Sequence, residues 1–289
     1  MPESAISRRC FLQRAGAPLV LGHRGASATH PENTLLAFRQ AMADGADGVE
    51  LDVMRCGSGE LVVVHDDDLG RVIGQKPGTG PWIRSSTLAD LRSHDVGSGE
   101  RVPLLSEVME ELGPHALINI ELKSPDVKTF GEHARLVRND GLAEAAAELL
   151  ARMPRPPGTT LLSSFDPMQL WRFDRAVKLQ RPQVESELPL GFLFHRKQPL
   201  PLRAGWPSRV LPVAAVHPDA ALVDALSMRR WRKKGYFVHV WTVDDAREIA
   251  ALCALGVDAI ITNAPAATRA LVDRLAPSKP PSGDVLASS

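Results

Sequence analysis

The order of apolar runs and helix-forming segments in this chain predicts a (β/α)8 TIM barrel with a small cap insertion after the second barrel strand. Two observations carry that reading. From residue 18 onward, short β-branched or leucine-rich runs alternate with helical stretches, and eight such runs can be counted. The unusual residues His23, Asp52, Lys123, Ser164, His217, Trp241 and Asn263 fall at or just past the ends of those runs, and in a parallel barrel all such ends share one mouth. A doubly wound open sheet is the alternative, but a glycine-rich nucleotide loop is missing.

The elements follow in order. Residues 19–21 form the first strand, and residues 33–43 are good helix formers with Asn33 or Thr34 at the cap and Gly45 beyond the end. Residues 48–53 give the second strand, and 60–64 a further extended run after Gly57-Ser58-Gly59. Residues 66–101, rich in Gly, Asp and Ser, hold one helix-like piece at 87–92 and predict a cap or functional loop. A helix at 104–112 precedes the third strand, 116–122. A long helix is expected over 127–153, ended by Pro154, Pro156 and Pro157. Strands then follow at 160–163, 190–193, 213–216, 237–241 and 259–261, with helices at 166–178, 220–234, 244–255 and 266–275. Asp245 and Glu248 have the spacing of a helix cap. Residues 194–212, with four prolines, suggest no regular element.

Composition narrows the function classes. The 34 basic and 34 acidic residues cancel, so no general attraction to nucleic acid or to an anionic membrane is expected and anion binding must be local. Hydrophobic residues make up 44% of the chain, enough for a real core. Cys10, Cys56 and Cys253 lack metal-site or redox-pair spacing. Ser7-Arg8-Arg9-Cys10-Phe11 resembles the start of a twin-arginine export signal, but the apolar stretch after it is short and runs into the strand bearing His23. The expectation is therefore a flexible tail over residues 1–17, a barrel over 18–276 containing the 66–101 cap, a disordered tail over 277–289, and a cytoplasmic location without membrane insertion.

Several residues suggest chemistry. Glu50 and Asp52 lie two apart on a strand and so share a face. Two carboxylates on the inside of a barrel repel unless a cation lies between them. Glu121 and Lys123 repeat the spacing on the next barrel strand, and Glu50, Asp52 and Glu121 together make an oxygen site suited to Mg²⁺ or Ca²⁺ rather than Zn²⁺, the alternative being an ion-pair network in which Lys123 or Arg24 neutralises the acids. His23 and His65 each end an apolar strand, where a histidine is either a hydrogen-bonded structural residue or, when two flank a carboxylate-bound cation, one of an acid/base pair able to move protons at neutral pH. Arg24 and Lys123 give cationic contacts to a phosphodiester, and Gly25 permits a tight turn after Arg24.

These residues occur in motifs that resemble the glycerophosphodiester phosphodiesterases: His23-Arg24-Gly25, Pro31-Glu32-Asn33-Thr34, Glu50-Leu51-Asp52, His65-Asp66 and Glu121-Leu122-Lys123. The resemblance spans residues 19 to about 275. It implies His23 and His65 as the acid/base pair, a divalent cation on Glu50, Asp52 and Glu121, and supporting or substrate contacts from Glu32 and Asn33, which could alternatively serve only as helix caps. Ser163-Ser164-Phe165 and Val240-Trp241-Thr242-Val243 resemble later family motifs and suggest Trp241 as a wall of the headgroup pocket, with His217 structural. Asn263 stands where many members have aspartate, and residues 66–72 match only loosely. The implied activity is metal-dependent hydrolysis of a small-molecule glycerophosphodiester to sn-glycerol 3-phosphate and an alcohol. One alternative is a lysophospholipase D or sphingomyelinase-like enzyme, for which Phe192, Phe194, Leu200 and Trp206 would line an apolar patch beside the mouth. Another is a barrel that binds phosphoesters without turnover. The sequence leaves homo-oligomerisation open.

Overall fold

Eight of the apolar runs become parallel strands that close on themselves. The computed structural model describes residues 10–11, 16–124, 140–180 and 188–276. Its strands are β1 (Leu19–His23), β2 (Gly48–Arg55), β3 (Leu61–Val63), β4 (Leu117–Leu122), β5 (Thr160–Ser164), β6 (Leu190–Phe194), β7 (Ala215–Pro218), β8 (Phe237–Val240) and β9 (Ala259–Thr262). The sheet runs β1-β9-β8-β7-β6-β5-β4-β2, and β1 also pairs with β2, which closes the barrel. β3 pairs antiparallel with β2 and stands outside the closed ring.

The helices are α1 (Leu35–Ala43), α2 (Leu88–Arg92), α3 (Leu105–Leu112), α4 (Leu142–Arg152), α5 (Pro167–Gln180), α6 (Leu200–Arg203), α7 (Ala225–Lys233), α8 (Ala246–Leu255) and α9 (Pro265–Leu275). Their boundaries follow local capping. Thr34 caps α1, Thr87 and Asp90 form a reciprocal box at α2, and Asp245 accepts from Arg247 and Glu248 at α8. Two sequence expectations shift for the same reason. The helix expected from 127 starts at Leu142 among the described residues, because Gly141 takes a left-handed conformation that a helix interior excludes; residues 125–139 lie outside those described. The helix expected over 220–234 divides into a 3-10 turn at Ala220–Leu222 and α7, because Asp224 forms its own capping box with Ser227. The proline-rich stretch 194–212 contains α6 and a 3-10 turn, Trp206–Arg209.

The parallel registers give the inner face of the barrel. His23 pairs with Glu50, Glu50 with Asn119, and Asp52 with Glu121, so these side chains share the inner side. At the bottom, Leu19, Leu21, Leu117, Leu161, Ala215, Ala259 and Ile261 form an apolar plug that includes Phe11, which is 1% exposed. One side chain of the segment expected as a tail is thus buried in the barrel; residues 277–289 lie outside those described. Above the plug is a polar layer containing Asn119, Ser163, His217 and His239, all fully buried. The rings of His217 and His239 lie 4.7 Å apart. A side chain at Gly191 would meet His217 Nε2, so this strand position accommodates only glycine. The outer face of the strands packs against the helices in the main core, and the cap has a smaller core of its own around Met54, Leu69, Ile83, Leu91 and Val102.

Candidate active site

The mouth assembles from four adjacent pieces of chain: the loop after β1, the inner face of β2, the cap behind β3, and the end of β4. Glu50 and Asp52 project inward from β2, and Glu121 from β4 one register step away. Their carboxylates, each at most 8% exposed, offer oxygens within 4.8 Å of one another. Lys123 leans back onto this group, with Nζ 3.0 Å from Glu121 Oε1 and 3.3 Å from Asp52 Oδ1. Arg24 Nε lies 3.1 Å from Asp52 Oδ2. Asn33 Nδ2 donates to the same oxygen at 3.0 Å.

The charge states follow from that packing. Burial and the neighbouring charges of Asp52 and Glu121 push the Glu50 carboxyl well above its ordinary range. Asp52 behaves oppositely. Burial opposes its ionisation, but Lys123, His65, Arg24 and the Asn33 amide together hold it far below the ordinary range. Lys123 is likewise raised, since Glu121 and Asp52 outweigh its burial. Three carboxylates face two cations here, and Glu50 is the one whose ionisation is opposed.

Each histidine is oriented through Nδ1. His23 Nδ1 lies 2.7 Å from Asn263 Oδ1, while Asn263 Nδ2 donates to Asp244 Oδ2 at 2.6 Å. That second bond fixes the amide's direction, so its oxygen faces His23 and Nδ1 donates. Ser27 Oγ donates to the same amide oxygen. Burial, then the nearby Arg24 charge, lowers the His23 pKa. His65 Nδ1 donates instead to a carboxylate, Asp66 Oδ1, at 2.6 Å. Asp66 is held near a pKa of about 2: against burial, its bonds to His65 and Arg71 favour the ion. In both rings Nε2 remains the nitrogen available for chemistry, and the His23 Nε2 lies 3.9 Å from Glu50 Oε2.

The two expected supporting residues are both present. Glu32 accepts from Arg24 Nη1 at 2.9 Å and from Arg71 Nη1 and Nη2 at 2.8 and 2.7 Å. Asn33 is 4% exposed and spends its amide on Asp52; Thr34, rather than Asn33, caps α1. Arg24 and Asn33 have positive φ values, 56° and 58°. For arginine that backbone costs about 1 kcal/mol, and it persists where the surroundings overdetermine it, here by the Glu50 carbonyl and carboxylate on the Arg24 N–H. Gly25, φ 85°, completes the turn, and a side chain there would strike the Ala37 backbone at 2.6 Å.

Trp241 stands at the far side of the mouth. Its Nε1 donates to the His217 carbonyl at 2.8 Å, and its ring meets Phe165 edge-on at 5.2 Å. His217 itself is enclosed beneath, as a structural residue would be. Phe192 and Phe194 are buried in the main core and line no acyl groove; Leu200 and Trp206 are exposed on the β6–β7 connection.

Three contributors had no role assigned to them from sequence. Asp66 follows His65 directly, and that adjacency was the available signal. Arg71, which reaches both Asp66 (2.6 Å) and Glu32, and Asp244, which fixes Asn263, come from loops without periodicity.

Residues 23–267 match the model of the Glycerophosphoryl diester phosphodiesterase family. A glycerophosphodiester phosphodiesterase of Bacillus subtilis is 30% identical over 280 residues, covering 91% of this chain and 89% of that protein. One from Caldanaerobacter subterraneus subsp. tengcongensis is 32% identical over 256 residues, covering 86% and 94%. Among solved structures, an Oleispira antarctica phosphodiesterase in complex with the product sn-glycerol-3-phosphate superposes with a TM-score of 0.70 at 27% identity, covering 89% of this chain and 97% of that one. The Thermotoga maritima glycerophosphodiester phosphodiesterase gives 0.65 at 27% identity, covering 88% and 98%.

Proposed function

Since the chain belongs to the glycerophosphoryl diester phosphodiesterase family, we propose that it hydrolyses glycerophosphodiesters to sn-glycerol 3-phosphate and an alcohol, with Glu50, Asp52 and Glu121 holding a divalent cation. The observation that carries the reading is the buried triad of carboxylates on two neighbouring strands.

The triad fits such an ion on two grounds. Its donors are all oxygens, which suits Mg²⁺ or Ca²⁺ and disfavours Zn²⁺. Its charge also balances: three carboxylates against Lys123 and Arg24 leave one negative charge, a divalent ion makes it one positive charge, and a phosphodiester anion cancels that. When bound, the ion supplies Lewis-acid polarisation of a phosphoryl oxygen.

The protein's own groups do the rest. Lys123 and Arg24 stabilise charge on the phosphoryl oxygens as the displacement proceeds. His23 and His65 exchange protons through Nε2, one removing a proton from the attacking oxygen and the other delivering one to the leaving alcohol. Asn263 and Asp66 hold the two rings so that Nε2 faces the mouth. Trp241 and Phe165 form an apolar wall for the carbon part of the substrate. Glu32, tied to Arg24 and Arg71, keeps the guanidinium aimed at the site.

The test is release of glycerol 3-phosphate from a panel of glycerophosphodiesters with and without chelator. Turnover that is lost with chelator, restored by Mg²⁺ or Ca²⁺, and reduced by at least about 10³-fold in Glu121→Gln is expected. Chelator-resistant turnover would remove the cation from the reading. Turnover of acylated counterparts alone would move the substrate class.

A further inference from the structure

The exposed apolar residues of this protein are unevenly placed. Eight large hydrophobic side chains are exposed among the described residues, and six of them sit on two consecutive connections: Met168, Trp171 and Leu179 on α5, and Leu200, Trp206 and Val210 between β6 and β7. The exposures are high for such residues, 51% for Trp206, 61% for Leu200 and 85% for Val210.

Charge is uneven in the same place. The whole chain is neutral, yet the described residues of these two connections, 167–180 and 188–214, contain seven basic residues and one acidic residue, and residues 188–218 contain no acid. Both tryptophans carry an arginine over the ring: Arg175 lies 5.4 Å from the centre of Trp171, and Arg209 5.6 Å from that of Trp206. Each of the two connections therefore presents indole, aliphatic and guanidinium groups at its surface.

Its position relates to the mouth. α5 and the β6–β7 connection follow the carboxyl ends of adjacent strands, so both begin at the mouth and occupy neighbouring places in the outer ring. Phe165 and His195, which pack on each other at 5.6 Å beside Trp241, are the residues from which the two segments depart.

From this placement we infer that the α5 and β6–β7 face is a docking surface for the headgroup region of an anionic lipid bilayer. Indole rings partition to the interface between headgroups and acyl chains, aliphatic side chains reach just below it, and arginines pair with lipid phosphates above them. The combination on this face meets all three demands, with no acidic residue between 188 and 218 to repel the surface. No described helix is long and apolar enough to cross a membrane, so the association is peripheral and salt-sensitive. Docking here would present the mouth sideways to a bilayer and does not depend on turnover.

The experiment is co-sedimentation of the full chain with vesicles. Phosphatidylcholine vesicles containing about 30% phosphatidylglycerol should bind at least ~10-fold more protein than pure phosphatidylcholine at low salt, and about 0.5 M NaCl should abolish the difference. Arg203→Glu with Arg209→Glu, and separately Leu200→Ser with Trp206→Ser, should each lower binding by roughly 10-fold. Both variants should keep the wild-type melting temperature and turnover of soluble glycerophosphocholine, which shows that the barrel and its site are intact. Equal binding to the two vesicle types, or anionic binding unchanged in both variants, would overturn the inference. So would concentration-dependent self-association abolished by Leu200→Ser with Trp206→Ser in a protein that ignores vesicles, since the face would then be a contact between copies of this chain.

Discussion

Acid should destabilise this protein through the histidines sealed inside its barrel. His239 is fully buried between the apolar plug and the mouth, and burial, helped by Arg232, lowers its pKa from 6.5 to about 3. His217, 4.7 Å away, is pushed well below 6.5 by burial and by His239. The His239 ring is therefore neutral in the folded protein at pH 5, whereas the unfolded chain protonates its histidines below 6.5. A depressed histidine pKa means that the unfolded state gains protons the folded state refuses, so stability is full above pH 6.5 and falls with acid until pH 3. From pH 6.5 to 5 the loss through His239 is about 2 kcal/mol, at 1.36 kcal/mol per unit; His217 acts with the same sign. Urea unfolding at pH 5 and pH 7 would measure it in the wild type and in His239→Asn. The variant should show a pH dependence smaller by about 2 kcal/mol, whatever its stability at pH 7. An identical pH dependence in the two proteins would refute the argument that His239 folds as a neutral ring.

Three further outcomes follow from the site and the core. Asp66→Asn removes the carboxylate that accepts from Nδ1 and fixes the His65 ring, and should lower kcat by roughly 10- to 100-fold with a smaller change in KM, as steady-state kinetics would read. Arg71→Ala leaves Asp66 and Glu32 without their shared guanidinium; kcat should fall about 10-fold, and Arg71→Lys, lacking the fork that spans both, should recover only part of it. Phe11→Ala empties the base of the barrel, where the ring also lies 5.6 Å from His239, and should cost about 3 kcal/mol in urea unfolding while leaving turnover of the surviving folded protein unchanged.

Much of the architecture was legible because local chemistry dictates it. The eight runs that close the barrel were all countable, since parallel strands covered on both faces read as unbroken apolar segments whatever their partners. The helix starts at Asn33 or Thr34 and at Asp245 were legible because a cap is a bond between residues close along the chain. Within the spans read as single helices, 127–153 and 220–234, propensity was continuous but Gly141 and Asp224 interrupt it, one by backbone conformation and the other by a capping box; residues 125–139 lie outside those described.

The sequence by itself determined which residues could do chemistry: Glu50 and Asp52 share a face because a strand repeats every two residues, and His23 and His65 stand at strand ends because the apolar runs stop there. Only the tertiary structure decided their states. Asn263, 240 residues along the chain from His23, is fixed by Asp244 from a separate turn, and Arg71 reaches back from the cap to tie Asp66 to Glu32. Hydrogen bonds and Coulomb forces act through space over a few ångströms, and closing the barrel is what brings residues so far apart along the chain within that reach.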